Sequence, residues 1–154
     1  MPRREKKYTL DTQLFINSFR NPKANEAIQR FHRAFAPFEY LSAIVIQELR
    51  AGATTAAAVR DLDRYIVRPF EKRRRIVTPT AAAWVRAGEV LADLRKAEGL
   101  NLKRMPRSFG NDVLLAASCR ETGLVLVTEN VADFERIAKH MDFDFVPPWP
   151  GPTK

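Results

Sequence analysis

A chain of 154 residues fits one domain with room for a sizeable core, and its 45% hydrophobic content is ordinary for a globular protein. Lys and Arg number 26 against 18 Asp and Glu, and the net charge of +8 favours polyanionic partners: nucleic acid, an acidic protein or an anionic membrane surface. One cysteine excludes an internal disulfide and suits a reducing cytoplasm; no stretch approaches a membrane-spanning helix, and Asp11 and Gln13 interrupt the segment after the basic N-terminus, which excludes a secretory signal.

In chain order, Lys7 to Leu10 reads as a short strand with Asp11 at its end, followed by a short helix from Thr12 to Ser18. Asn21-Pro22 breaks it, and Ile28, Phe31 and Phe35 set a second helix over residues 25–35. Pro37 stops that helix, and residues 38–41 read as strand. Ser42 is placed to cap a helix from Ala43 to Ala51, with Gly52 as its stop. Thr54 or Thr55 opens a long helix towards Pro69. A charge run, Glu71 to Arg75, leads into a short strand at residues 75–77. Thr78-Pro79 is expected to open a helix that carries Trp84, Val85, Leu91 and Leu94 and ends near Gly99.

Residues 100–110 read as an irregular basic loop. A helix over residues 111–121, capped by Asn111, closes at Gly123. Leu124 to Val127 is an unbroken apolar strand, expected to be covered on both faces. Residues 131–141 form a last helix and residues 143–146 a last strand. The Pro-rich tail, residues 147–154, fits neither helix nor central strand, so the domain is drawn at residues 1–146. Strands that alternate with helices throughout predict a three-layer α/β/α fold with a mainly parallel sheet. In such folds sites form outside the carboxyl ends of the strands.

Four acids stand where that rule places a site: Asp11, Glu48, Asp112 and Asp133. Glu48 shares the apolar stripe of its helix with Leu41, Ile44 and Val45, and Asp112 shares one with Leu115, Ala116 and Cys119. A buried carboxylate is costly unless it is paired, protonated or metal-bound. Asp and Glu are suitable oxygen ligands for Mg²⁺ or Mn²⁺, and widely spaced acids that converge on one sheet edge make a cage able to share one or two cations. In a basic protein the fitting substrate is a phosphodiester. Taken singly, each acid has a blander explanation. Asp11 caps a helix, Asp112 complements a helix dipole, Asn130 and Asp133 form a capping pair, and arginines such as Arg50 or Arg120 neutralise the buried acids.

The motifs that carry these acids resemble those of the PIN-domain ribonucleases. Leu10-Asp11-Thr12 with Leu14-Phe15-Ile16 is similar to their opening motif, and Ser42 through Glu48-Leu49-Arg50-Ala51-Gly52 to their second. Residues 111–117, Asn-Asp-Val-Leu-Leu-Ala-Ala, and residues 124–134 are similar to the third and fourth. Length and motif order resemble the single-domain VapC-type toxins of toxin–antitoxin pairs. The resemblance implies that Asp11, Glu48, Asp112 and Asp133 bind Mg²⁺ or Mn²⁺ and are catalytic, with Thr12, Thr128 and Asn130 as supporting groups. It further implies five strands ordered 3-2-1-4-5, cleavage of structured RNA by cation-activated water, a homodimer, and inhibition by a small VapB-like antitoxin. Gln13 departs from the Asn usual in the opening motif.

Two basic clusters, Lys72-Arg73-Arg74-Arg75 and Lys103-Arg104 with Arg107, are candidate contacts to a phosphate backbone; otherwise they are solvated charge. Cys119 and Trp84 are expected to pack in the core, and Phe15, Phe19, Phe31 and Phe35 to form an apolar cluster. The alternative to a nuclease is a basic nucleic-acid-binding module without catalysis. A nucleotide binder of doubly wound type is disfavoured, because no Gly-rich phosphate loop occurs.

Overall fold

A computed structural model of the chain describes residues 5–151. Its five strands are β1 (Lys7–Leu10), β2 (Glu39–Ser42), β3 (Ile76–Val77), β4 (Leu124–Val127) and β5 (Asp144–Val146), in one sheet ordered β3-β2-β1-β4-β5. Every pairing is parallel, with Leu10 opposite Val127 at the centre and Leu41 opposite Ile76 towards one edge. Eight helices flank the sheet: α1 (Thr12–Arg20), α2 (Pro22–Phe35), α3 (Ala43–Gly52), α4 (Ala56–Leu62), α5 (Arg68–Lys72), α6 (Ala81–Glu98), α7 (Arg107–Thr122) and α8 (Val131–Ala138). This is the expected α/β/α fold.

Local chemistry explains most boundaries. Asn21 ends α1 and caps α2 by accepting from the amides of Lys23 and Ala24, with Pro22 at the first helical position, where no donor is needed. Ser42 accepts from Ile44 N at 3.2 Å to start α3. Gly123 closes α7 in the left-handed conformation that glycine adopts cheaply. All four residues of β4 are buried, as a central strand covered on both faces requires. The core joins Leu10, Leu41 and Leu126 of the sheet to Ile28, Val90, Leu94, Val113 and Phe134 of the helices.

Several expectations are corrected. The helix through Trp84 starts at Ala81, because the Thr80 hydroxyl accepts from Ala83 N at 3.1 Å; Thr78 and Pro79 precede it. Helix α7 starts at Arg107, so Asn111 is inside it and caps nothing. Helix α8 ends at Ala138 and β5 starts at Asp144. The long helix continues past Pro69. A π-helical turn at residues 63–67 precedes that proline and widens the helix where a ring and a missing donor would break a regular one.

Trp84 is 61% exposed, because the inner face of α6 is carried by Ala83, Ala87, Val90 and Leu94, one residue out of phase with it. Phe15, Phe31 and Phe35 are buried together, but Phe19 is 62% exposed. Cys119 is buried and its thiol is pushed up to about 12, mainly by desolvation, as a core residue's should be. Trp149 packs on Phe31 with ring centroids 5.3 Å apart. No helix among the described residues is long and apolar enough to cross a membrane.

Candidate active site

The order β3-β2-β1-β4-β5 reverses direction between β1 and β4, and a crevice opens at the carboxyl end of such a switch. Asp11 follows β1 directly, and its backbone N–H donates to Val127 O at 3.0 Å, which extends the central pairing into the crevice. Its carboxylate is 6% exposed and held from two sides. Oδ1 accepts from Thr12 N at 2.8 Å, and Oδ2 accepts from the Thr128 hydroxyl at 2.7 Å. Burial raises the Asp11 pKa most; the bonds from Thr128 and Thr12 oppose that rise, while Glu48 and Glu129 add repulsion.

The other three acids come from helices. Glu48 is on the second turn of α3 and accepts from the Thr12 hydroxyl at 2.7 Å. Asp112 is the sixth residue of α7 rather than its first, so it reaches the site from a helix face, not from a terminus. Asp133 is in the first turn of α8. Asn130 ties the last two together: its Nδ2 donates to Asp133 Oδ2 at 3.0 Å and to Asp112 Oδ2 at 3.4 Å. Its own backbone N–H donates to the Thr128 hydroxyl at 3.0 Å. Asn130 is therefore a bridge between acids, and its side chain caps no helix. Thr12, Thr128 and Asn130 thus touch all four acids.

The electrostatics reflect this arrangement. The carboxyl of Asp112 is pushed up to about 8, first by burial and then by Asp11, Glu48 and Asp133. Among the described residues no Lys, Arg or His forms an ion pair with any of the four acids, so the expectation of arginine neutralisation is not met. One tighter expectation is not met either: no three Asp, Glu, His or Cys side chains among the described residues stand close enough together to enclose an ion.

Three further placements bear on the site. Gln13 is exposed and donates to Asn17 Oδ1 at 2.8 Å, away from the four acids. Glu129 is a fifth acid, missed in the sequence; it accepts from Asn17 at 3.1 Å and raises Asp11. The signal available for it was its place between Thr128 and Asn130. The two basic clusters lie at opposite ends of the sheet. Arg107 is exposed at the start of α7 and lines a hollow with Ala43 and Thr78, which follow the carboxyl ends of β2 and β3, and Lys103 and Arg104 are exposed in the loop that leads to it, whereas residues 72–75 feed β3 from its amino end.

The sequence profile of the PIN domain matches residues 8–140. The tRNA(fMet)-specific endonuclease VapC of Shigella flexneri is 27% identical over 132 residues, covering 85% of this chain and 92% of that one. Among solved structures, DNA-bound VapBC from Salmonella typhimurium aligns with a TM-score of 0.68 at 26% identity, over 93% of this chain and 98% of that one. FitAcB from Neisseria gonorrhoeae shares the fold, with a TM-score of 0.67 at 21% identity over 92% and 98% of the two chains. The chain belongs to the PIN-domain family, and its similarity runs to the VapC endonucleases within it.

Proposed function

We propose that this PIN-domain protein is a metal-dependent endoribonuclease and the toxin of a toxin–antitoxin pair. The observation that carries the reading is four acids from four separate elements, mutually repelling and without an ion-pair partner among the described residues, at the switch point of a parallel sheet. The donor set is hard oxygen throughout, which fits Mg²⁺ or Mn²⁺. Asp11, Glu48, Asp112 and Asp133 would hold the cation, which supplies charge neutralisation and activation of a water.

The chain's own groups do the rest. Thr128 and the Thr12 amide fix the rotamer of Asp11, and the Thr12 hydroxyl fixes Glu48. Asn130 holds Asp112 and Asp133 as a pair, so the acids enter the site in a set relation. Lys103, Arg104 and Arg107, on the acid edge, attract an RNA backbone to the four carboxylates that would otherwise repel it.

The partner is a small VapB-like antitoxin, as the complexes similar to this chain suggest. A cavity of about 530 Å³ beside Glu48, lined by Ile16, Phe19, Leu49, Leu62 and Tyr65, suits an apolar helix from that partner. A basic side chain beside that helix would meet the acids. The domain is proposed to end at residue 146, with the Pro-rich tail after it folding back so that Trp149 packs on Phe31.

The reading is tested by assaying RNA cleavage with excess Mg²⁺ or Mn²⁺ in Asp11→Asn and Asp112→Asn. Cleavage should fall by at least about 100-fold, the order of effect expected when a charge essential to transition-state stabilisation is removed. Activity equal to the parent protein in both variants would return the chain to the alternative, a basic binding module without catalysis.

A further inference from the structure

The edge of the sheet opposite the acids carries a basic surface that the proposed catalysis does not use. Helix α5 ends in Lys72, and the chain turns through Arg73, Arg74 and Arg75 into β3. Arg74 N–H donates to Glu71 O at 3.0 Å and Arg75 N–H to Phe70 O at 2.9 Å. This pair of bonds closes a helix by one residue in the left-handed conformation, the place where glycine is the usual occupant. Here that residue is Arg74, with φ of 55°. Its Cβ makes the turn sterically unfavourable, and glycine would remove the strain. A cation at the end of a helix complements the dipole, but Lys72 and Arg73 already do so. The dipole therefore does not account for an arginine in the strained position.

The start of β1 joins the same surface. Lys7 Nζ lies 5.6 Å from the centroid of the Tyr40 ring and the Arg75 guanidinium 5.0 Å from it, with Arg75 Nη1 donating to the Tyr40 hydroxyl at 2.8 Å. Two charge runs distant in sequence are thereby anchored to one aromatic ring. Over residues 5–7 and 71–75 there are six cations and two acids. Among the described residues none of those six forms an ion pair.

We propose that this amino-edge surface binds the phosphate backbone of structured RNA at a distance from the acids, so that a folded RNA is held at both ends of the sheet. The inference takes from the proposed function only that the ligand is RNA. A hairpin or other folded RNA presents two backbones on one rigid stem, so it can offer phosphates to both edges at once. The run of unpaired cations matches a ladder of phosphates and reads no base.

The test uses the full chain in EDTA, so that binding is measured without cleavage. A fluorescent RNA hairpin is titrated against the parent protein and against Lys72→Gln/Arg73→Gln/Arg74→Asn at several salt concentrations. Asn is chosen at position 74 because it tolerates the left-handed conformation. Hairpin affinity should fall roughly tenfold, and the slope of log K against log salt should flatten by about 2, in line with lost phosphate contacts. Arg74→Gly should melt higher than the parent and bind the hairpin less tightly, which separates a retained charge from a folding need. Unchanged affinity and slope in the triple variant would overturn the proposal, as would loss of binding to phosphatidylserine vesicles with RNA binding intact. If no RNA is ever cleaved with metal but the hairpin behaves as described, the nuclease reading falls and the surface stands.

Discussion

At the residue scale, Asp112 sets the pH behaviour of the metal-free protein. Its carboxyl is pushed from 3.8 to about 8 in the folded state by burial and the neighbouring acids. Between those values the folded state holds the proton that the unfolded chain releases, so stability falls as pH rises from about 4 to 8. Asp112→Asn should reduce that slope, leaving the part that Asp11, also raised by burial, contributes, and should melt higher than the parent at pH 8 without metal. Thermal melts across this range check it; a slope equal to the parent's in the variant would mean that Asp112 is not a titrating group. Thr128 is the second decisive residue, wholly buried, donating to Asp11 and accepting from Asn130 N–H. Thr128→Val keeps the shape and leaves the Asn130 amide without that acceptor and Asp11 without that donor. The expected cost is about 1–3 kcal/mol, read by urea unfolding, with a further rise in the Asp11 pKa.

At the element scale, α2 and β2 are joined by a half-buried pair that the sequence did not suggest. His32 Nδ1 lies 2.6 Å from Glu39 Oε1, and the Glu39 side chain is only 2% exposed. Phe15, Phe31 and Phe70 surround the imidazole. The two partners are unequal. Removing His32 strands a buried carboxylate, whereas Glu39→Gln leaves a neutral amide against a ring that still reaches solvent. His32→Phe, which keeps the ring packing, should therefore cost about 3 kcal/mol and Glu39→Gln about 1 kcal/mol. Denaturant unfolding of both variants checks the order, and a larger loss in Glu39→Gln would contradict it. The elements also set the two basic clusters apart, since a parallel sheet separates the start of α7 from the start of β3.

For the whole molecule, the proposed partner is the decisive ligand. Expressed together with the product of the adjacent reading frame, this chain should co-purify with a small protein, and the complex should cleave no RNA until that protein is removed. In the proposed complex an apolar helix in the cavity by Phe19 and Tyr65 would provide most of the affinity, and a basic group at the acids would set orientation. Phe19→Glu, on an exposed side chain, should weaken the complex and leave the free chain's melting temperature within a degree or two. Full cleavage by an intact complex would remove the antitoxin reading and leave the nuclease chemistry untouched. The free chain is expected to run as a homodimer in light scattering, as the family resemblance implies.

What the sequence by itself determined is what depends on neighbours along the chain. The period of apolar residues, the capping side chains and the stops at Gly99 and Gly123 set the strands and helices and hence the parallel sheet. Asp11 was legible because a carboxylate that ends a central strand is unusual, and Glu48 and Asp112 because each interrupts an apolar stripe. Tertiary structure decided the rest. Whether the acids meet an arginine or one another depends on the sheet order, which no local pattern encodes. The bridge from Asn130 to Asp112 spans 18 residues and the bond from Thr128 to Asp11 spans 117. Trp84 and Phe19 have core spacing yet face solvent, because periodicity gives a helix its apolar side but not how far its neighbours cover it. The start of α7 moved from Asn111 to Arg107 for a similar reason. Phe109, buried in the first turn and under the Arg136 guanidinium at 4.8 Å, ties residues 107–110 into the helix through packing the basic loop composition did not reveal.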